Sequence, residues 1–426
     1  VSNRFVVLLR NRNFLFLTFA GAMSQLGDRL SHMLLITLIG VAAPGKLLAY
    51  SGGSLTFVLP TLILSPIAGV LVDHWDKRKT ISRTHFIQTT ILLLTPFAIK
   101  LTHSFTPFWV ALTLFFGLDI FNNTANPALL PNLVASDNLL HANSVSLAFA
   151  RIATVLGMVI GGFLIKWAGW NNALFIDASC HLTAGFLILN IITTQTTAVA
   201  HTVPQPHSGN ISILINALKQ FFSDLGELIR LVLHNRIVAF VLASIIISTF
   251  ISAVSYTILI YLVQQVLNMG TAGVGIFAGI LAIGMIAGAA VMGLLPPNIN
   301  RPLVIVTITI LYGLLFFIGN LLITVWFMIV VALIAGVAFS WLGIVQNTLL
   351  QEEVTPTIRG RVFSTREFVT NSTFLITTAV IGILGDFTSY RIALLTIGIA
   401  LIVLGSAGFF WVRSGLIPTR RLNPDD

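Results

Sequence analysis

Stretches of about twenty apolar residues recur along this chain, and no other feature limits its fold so severely. Twenty residues of helix rise about 30 Å, the thickness of a bilayer's hydrocarbon. Lipid satisfies no backbone N–H or C=O, so a lone span of this kind must be a helix. Of the 426 residues 56% are hydrophobic and only 9% are Asp, Glu, Lys or Arg, where a soluble domain carries about 25% charge. A soluble globule so composed would expose apolar patches far beyond the usual few hundred Å². The expected fold is an all-α membrane protein.

The spans read as about 14–41, 49–72, 86–101, 108–130, 139–167 and 173–192, then 237–263, 272–295, 303–323, 326–349, 366–384 and 392–412. That is 12 transmembrane helices in two six-helix bundles, 1–192 and 235–413, with a linker at 193–234 and a polar tail at 414–426. Thr193 to Asn210 is polar and proline-containing. From Ile211 to Leu233 the apolar residues Leu214, Leu218, Phe221, Leu225, Ile229 and Val232 recur at spacings of three and four. This is an amphipathic helix, suited to a membrane surface or to the protein's own cytoplasmic face.

Basic residues resist translocation and so report orientation. With both termini in the cytoplasm, only Lys46, Lys100, Lys166 and Arg391 of the 23 Lys and Arg fall outside, and Arg29 and Arg151 lie within spans. The net charge of +9 is thus topological and implies no nucleic-acid partner. A single cysteine, Cys180, excludes an internal disulfide. The first span is too long for a cleavable signal and lacks an Ala-x-Ala-like exit. Ala128-Leu129-Leu130 with Val134, and Thr348-Leu349-Leu350 with Val354, end spans 4 and 10 at an offset of 220 residues. The match is short, but it falls at equivalent places in two halves, as duplicated transporter bundles require.

Between spans 2 and 3 the chain reads Gly69-Val70-Leu71-Val72-Asp73-His74-Trp75-Asp76-Lys77-Arg78-Lys79. Gly69, Leu71, Asp73, Lys77, Arg78 and Lys79 resemble the signature loop of the major facilitator superfamily. His74 stands where a base is usual and Asp76 where a glycine is usual. The resemblance implies a fold of two six-helix bundles with a central cavity that alternates between the two sides. It also implies that Asp73 and the three bases latch the cytoplasmic side. The plain alternative is a basic topological loop. Arg359-Gly360-Arg361 and Glu367, between spans 10 and 11, are candidates for the opposite half of that gate. The second half has no good copy of the loop: Met292 sits where the acid would be, and Arg301 is the only base there.

A charge inside a bundle costs several kcal/mol unless paired or wet, so intramembrane ionisable residues are functional candidates. Asp28, Asp119 and Arg151 are the leading candidates for proton coupling or substrate contact. Asp119 and Arg151 both fall at mid-membrane depth on neighbouring spans, so an ion pair between them is expected, either as a proton switch or as a fixed brace. Asp28 either lines the cavity or braces the outer helix ends. Asp177 lies one turn from His181 on one face of span 6. Histidine titrates near physiological pH, which makes the two a secondary relay candidate beside the plainer reading of a structural pair. These groups show no dense ligand spacing, so no metal is expected. No Gly-rich phosphate loop ending in Lys-Ser or Lys-Thr occurs, which argues against ATP hydrolysis by this chain. The expectation is a non-enzyme without cofactor, driven by a proton gradient.

Gly157-Met158-Val159-Ile160-Gly161-Gly162 resembles an exporter motif of the superfamily with its proline missing. The alternative, compatible reading is close helix packing through small residues. Tyr256, Trp341 and Phe363 are aromatic candidates for the cavity. Asn11-Arg12-Asn13-Phe14, Gly27-Asp28, Asn126-Pro127-Ala128-Leu129-Leu130-Pro131-Asn132-Leu133-Val134, Ala142-Asn143-Ser144 and Arg359-Gly360-Arg361-Val362-Phe363-Ser364 resemble the superfamily branch that holds bacterial macrolide exporters and the enterobactin exporter. That resemblance implies proton-coupled efflux, by antiport, of an amphiphilic or hydrophobic small molecule of drug or siderophore type. The setting would be a bacterial cytoplasmic (inner) membrane, with membrane lipid as the other partner and the chain acting as a monomer. Lysophospholipid importers share Gly-Asp and Ala-Asn, so lipid or metabolite import or flipping is the second reading. A non-transporting membrane receptor or scaffold is the third.

Overall fold

The computed structural model describes residues 7–135, 138–192, 210–294, 299–354 and 356–414. Among them every regular element is helical. In chain order they are α1 (Arg12–Ala42), α2 (Leu47–His74), α3 (Lys77–Thr102) and α4 (Thr106–Leu129). The stretch Leu139–Leu189 is continuous in hydrogen bonding but breaks at Gly169, whose φ of 78° and ψ of 163° are not helical. It therefore holds two spans, α5 (139–168) and α6 (170–189). There follow α7 (Asn210–His234), α8 (Arg236–Tyr261), α9 (Gly270–Leu294), α10 (Arg301–Leu321), α11 (Val325–Glu353), α12 (Pro356–Phe387) and α13 (Tyr390–Arg413). Setting α7 aside, twelve helices are available to cross a membrane, in two sets of six.

By length and composition alone nine helical stretches among the described residues qualify as spans, one of them the double stretch His141–Leu189. The two helices missing from that set are α1 and α3, which carry the polar residues described below. The real α3 begins nine residues before the apolar run at Phe86. Asp76 caps it, accepting from the Lys79 amide at 3.0 Å, a position where an acid also suits the helix dipole.

By contacts the chain divides into one unit of residues 1–38 and 55–221 and a second of residues 39–54 and 222–426. In this division the tip of the α1–α2 hairpin belongs to the second unit, and the break falls inside α7.

In the first unit α1 and α5 approach through small residues. A Cβ on Gly157 would stand 2.8 Å from Arg29 Cβ and 2.9 Å from the Leu26 carbonyl. On Gly161 it would stand 3.2 Å from Leu30 Cδ2. The Asn-Arg-Asn-Phe start ties three helices together. Asn11 accepts from the Phe14 amide at 3.1 Å and donates to the Leu133 carbonyl at 2.7 Å. Asn13 exchanges two hydrogen bonds with the backbone of Ile192, at 2.8 and 3.0 Å. Beneath them Leu8, Phe14, Leu17, Val72, Ile81, Leu129 and Ile188 pack as one apolar cluster.

In the second unit α10 packs on α13, α9 on α11 and α8 on α12. Glycines again set the close approaches: a Cβ on Gly398 would stand 2.8 Å from the Phe317 amide, and one on Gly336 3.0 Å from Gly284 Cα. After α8 the helix widens into a π turn over Leu262–Val266. Tyr50, buried, donates to Gln264 Oε1 at 2.6 Å and accepts from Gln265 at 3.2 Å.

Candidate functional site

The buried polar side chains of the second unit that are described are Ser, Thr and Gln346, besides Ser51 and Ser54 of the hairpin tip. Asp28, His85, Gln88, Asn122, Asp177 and His181 are all buried in the first unit, on α1, α3, α4 and α6. They meet at one place.

His181 is at its centre, with no exposed surface. Its Nε2 lies 3.4 Å from Asp177 Oδ1, one turn away on α6, and 3.7 Å from Asp28 Oδ1 on α1. None of these three atoms makes a hydrogen bond. The outer oxygens of both carboxylates are held: Ser31 donates to Asp177 Oδ2 at 2.5 Å and Gln25 to Asp28 Oδ2 at 3.3 Å. Thr154 of α5 donates in turn to Gln25 at 3.2 Å. The approach of α6 to α1 depends on Gly27, since a Cβ there would stand 2.6 Å from His181 Nε2 and 2.7 Å from Asp177 Oδ1.

On the other edge of the ring, His181 Nδ1 faces His85 Nδ1 at 3.3 Å. His85 Nδ1 also faces Gln88 Oε1 at 3.2 Å. Gln88 donates to the Phe115 carbonyl at 3.2 Å, and Asn122 donates to Gln88 Oε1 at 3.1 Å. Thr84 bonds Asn122 Oδ1. Phe115 stands edge-on to His181 with centroids 4.9 Å apart. Two buried carboxylates thus lie within 3.4 to 3.7 Å of one buried imidazole, a grouping whose charged forms are costly unless paired. Among the described residues no cluster of His, Cys, Asp and Glu has a metal-binding arrangement.

Of the leading candidates, Asp28 belongs to this cluster, and the pair Asp177 and His181 forms its core. Asp119 is half-buried and stands within electrostatic reach of Asp28 and His181, with its Oδ2 accepting from Asn123 at 2.8 Å. The expected pair of Asp119 with Arg151 is absent: no ion pair joins them, and Arg151 is exposed. Six residues, about a third of a turn around the helix, separate Arg151 from the Gly157 face that meets α1.

His85, Gln88 and Asn122 were not picked out from the sequence. The signal for His85 and Gln88 is the polar spacing Thr84-His85-x-x-Gln88-Thr89, which sits across the start of the apolar run at Phe86 and so falls outside a purely apolar reading of span 3.

The bases of the signature loop serve helix ends. Arg78 donates to the carbonyls of Ile188, at 3.3 Å, and Leu189, the last turn of α6, where a cation suits the dipole. Lys79 pairs with Asp76 at 4.0 Å, with both side chains exposed. A Cβ on Gly69 would meet nothing within 4 Å. The side chains of Asp73, Arg359, Arg361 and Phe363 lie outside the described residues. Glu367 is exposed, and Asn371 donates to its backbone carbonyl at 3.0 Å. Trp341 donates to the Gly288 carbonyl at 2.8 Å, which makes it a brace between α11 and α9. Tyr256 packs on Phe374 with centroids 5.7 Å apart.

A family model described as Major Facilitator Superfamily matches residues 13–362 and 245–425. YkuC of Bacillus subtilis, an uncharacterized MFS-type transporter, is 24% identical over 367 residues, covering 83% of this chain and 81% of its own. The putative bacilysin exporter BacE of the same organism is 23% identical over 309 residues, 72% of each chain. The enterobactin exporter EntS of Salmonella typhimurium is 24% identical over 348 residues, 76% of each. Among solved structures, a mutant peptide transporter POT with alafosfalin superposes with a TM-score of 0.71 at 12% identity, covering 95% of each chain. A bacterial homologue of the iron transporter ferroportin gives 0.69 at 16%, covering 95% of this chain and 98% of that one.

Proposed function

This chain belongs to the Major Facilitator Superfamily and is a multi-pass membrane transporter of small molecules; from that premise we propose that it exports amphiphilic or hydrophobic compounds in exchange for protons, by alternating access. The observation that carries the proton coupling is the meeting of Asp28 Oδ1, Asp177 Oδ1 and His181 Nε2, buried and without hydrogen bonds, within 3.4 to 3.7 Å of the imidazole. A buried polar atom left unpaired costs roughly 1–3 kcal/mol. A site that tolerates three of them has a use for the proton that would satisfy them. The gradient of a bacterial cytoplasmic membrane supplies that proton from outside, and both termini face the cytoplasm, as the basic residues indicate.

Export of a drug- or siderophore-type molecule is supported by relatives named for bacilysin and enterobactin and by the branch motifs at Asn11–Phe14 and Asn126–Val134. The gate roles of Asp73, Lys77, Arg78, Lys79, Arg359, Arg361 and Glu367 belong to the same reading. The chain works as a monomer in contact with lipid.

The test is external pH recorded from proteoliposomes as drugs, siderophores or lysolipids are added, for wild type beside Asp28→Asn. Substrate-driven proton movement that Asp28→Asn abolishes supports the proposal. Substrate flux without proton movement overturns the coupling, and flux of lysolipids alone replaces export of drugs with lipid handling.

A further inference from the structure

We propose that His85 is a positioning residue that fixes His181 as its Nε2–H tautomer, so that the coupling proton is taken by the carboxylates of Asp28 and Asp177 and not by the imidazole. This rests on the proton-coupled reading above and specifies how its site works.

The argument follows one line of donors and acceptors. Gln88 is anchored by its amide nitrogen, which donates to the Phe115 carbonyl at 3.2 Å. Its oxygen therefore faces His85 Nδ1, at 3.2 Å, and also accepts from Asn122 at 3.1 Å. An amide oxygen has only lone pairs to offer, so His85 Nδ1 carries the hydrogen. That N–H also faces His181 Nδ1 at 3.3 Å. Two N–H groups cannot point at one another, so His181 Nδ1 presents its lone pair, and the proton of a neutral His181 sits on Nε2. The opposite assignment would set two lone pairs, on His85 Nδ1 and Gln88 Oε1, against each other at 3.2 Å, leaving His85 Nδ1 to accept from the Asn122 amide nitrogen at the longer distance of 3.5 Å.

Nε2–H faces Asp177 Oδ1 and Asp28 Oδ1. A second proton on His181 would have to enter at Nδ1, against the His85 N–H. The carboxylates have no such obstacle. The other charged or titratable groups around the ring are Arg29 on α1, Asp119 on α4 and Cys180 on α6. At Nδ1 of His181 the titratable group at hydrogen-bond distance is His85, at 3.3 Å.

The experiment is solid-state nitrogen NMR of the full-length protein in liposomes with ¹⁵N-labelled histidine, His181 being identified by difference from His181→Gln. Wild-type His181 is expected to show a protonated Nε2 and a bare Nδ1 throughout about pH 5–8, the range in which free histidine titrates. His85→Leu frees Nδ1, and His181 should then become doubly protonated on acidification, with the pH profile of substrate-driven proton movement shifting with it. His85→Asn returns an N–H near the same place and should restore the wild-type signal. A wild-type His181 that carries its proton on Nδ1, or that turns into imidazolium within this range, overturns the proposal even if His85→Leu does not fold. So does a folded His85→Leu whose His181 signal is unchanged. Loss of proton coupling altogether would instead overturn the transport reading, which the nitrogen signals do not measure.

Discussion

Gly27 leaves open the space that His181 fills: a Cβ on residue 27 would stand 2.6 Å from His181 Nε2. The glycine immediately before Asp28 is thus what allows an imidazole on α6 to reach a carboxylate on α1. Alanine is the better helix former by about 0.8–1.0 kcal/mol. Gly27→Ala should nevertheless lower stability by about 1–3 kcal/mol, the usual cost of overpacking. It should also reduce proton-coupled flux. Thermal unfolding in detergent and the proteoliposome assay check both. An alanine variant that is more stable and still coupled would show that α6 can move away freely.

The carboxylates should separate by function. Asp28→Asn and Asp177→Asn remove the acids that face His181 and should each cut substrate-driven proton movement at least tenfold, the equivalent of about 1.4 kcal/mol. Arg151→Gln, at an exposed position outside the cluster, should leave proton movement per substrate within twofold of wild type, a shift of less than about 0.5 kcal/mol. Uptake rates for the three variants, matched for protein content, decide this.

The glycines of α5 should differ sharply. At Gly157 the neighbours of an added Cβ include backbone, the Leu26 carbonyl at 2.9 Å and Cα at 3.2 Å. At Gly161 they are side-chain atoms only, Leu30 Cδ2 at 3.2 Å and Met33 Cγ and Cβ at 3.3 and 3.5 Å. Gly157→Ala is expected to cost about 1–3 kcal/mol and Gly161→Ala less than about 1 kcal/mol. Unfolding midpoints in a denaturant series would rank them, and the reverse order would mean that α1 and α5 do not pack this way.

Asn13→Ala deletes both hydrogen bonds to the Ile192 backbone. The expected loss is about 1–2 kcal/mol, smaller if water replaces them. Amide hydrogen exchange at Ile192 should speed up while exchange in the middle of α6 stays unchanged.

Much of the fold was legible because lipid imposes it. Span length, the count of twelve and the break near Gly169 follow from hydrocarbon thickness and backbone hydrogen bonding. Part of the site was legible too: Asp177 and His181 are four apart, and helical periodicity puts them on one face. The same periodicity says nothing about which other helix that face meets. Asp28 as their partner, His85 behind them, and Arg151 turned away from Asp119 are decided by the packing of α1, α3, α5 and α6 through residues with small or absent side chains. Apolarity was a poor guide to α3, whose buried polar residues are the ones that make it a weak span.

That last property bears on how the protein is made. The helices that fail the apolarity test, α1 and α3, are the ones that bring Asp28 and His85 to the cluster. A segment too polar to partition by itself must find a neighbour before it leaves the insertion machinery. For α3 the first neighbour is α4, its partner in a hairpin, whereas His181 is synthesised almost a hundred residues after His85. Until His181 is made, the polar partners of Gln88 are the Phe115 carbonyl and the Asn122 amide of α4. Substitutions in Phe115 or Asn122 should lower the yield of inserted protein before they ever affect transport.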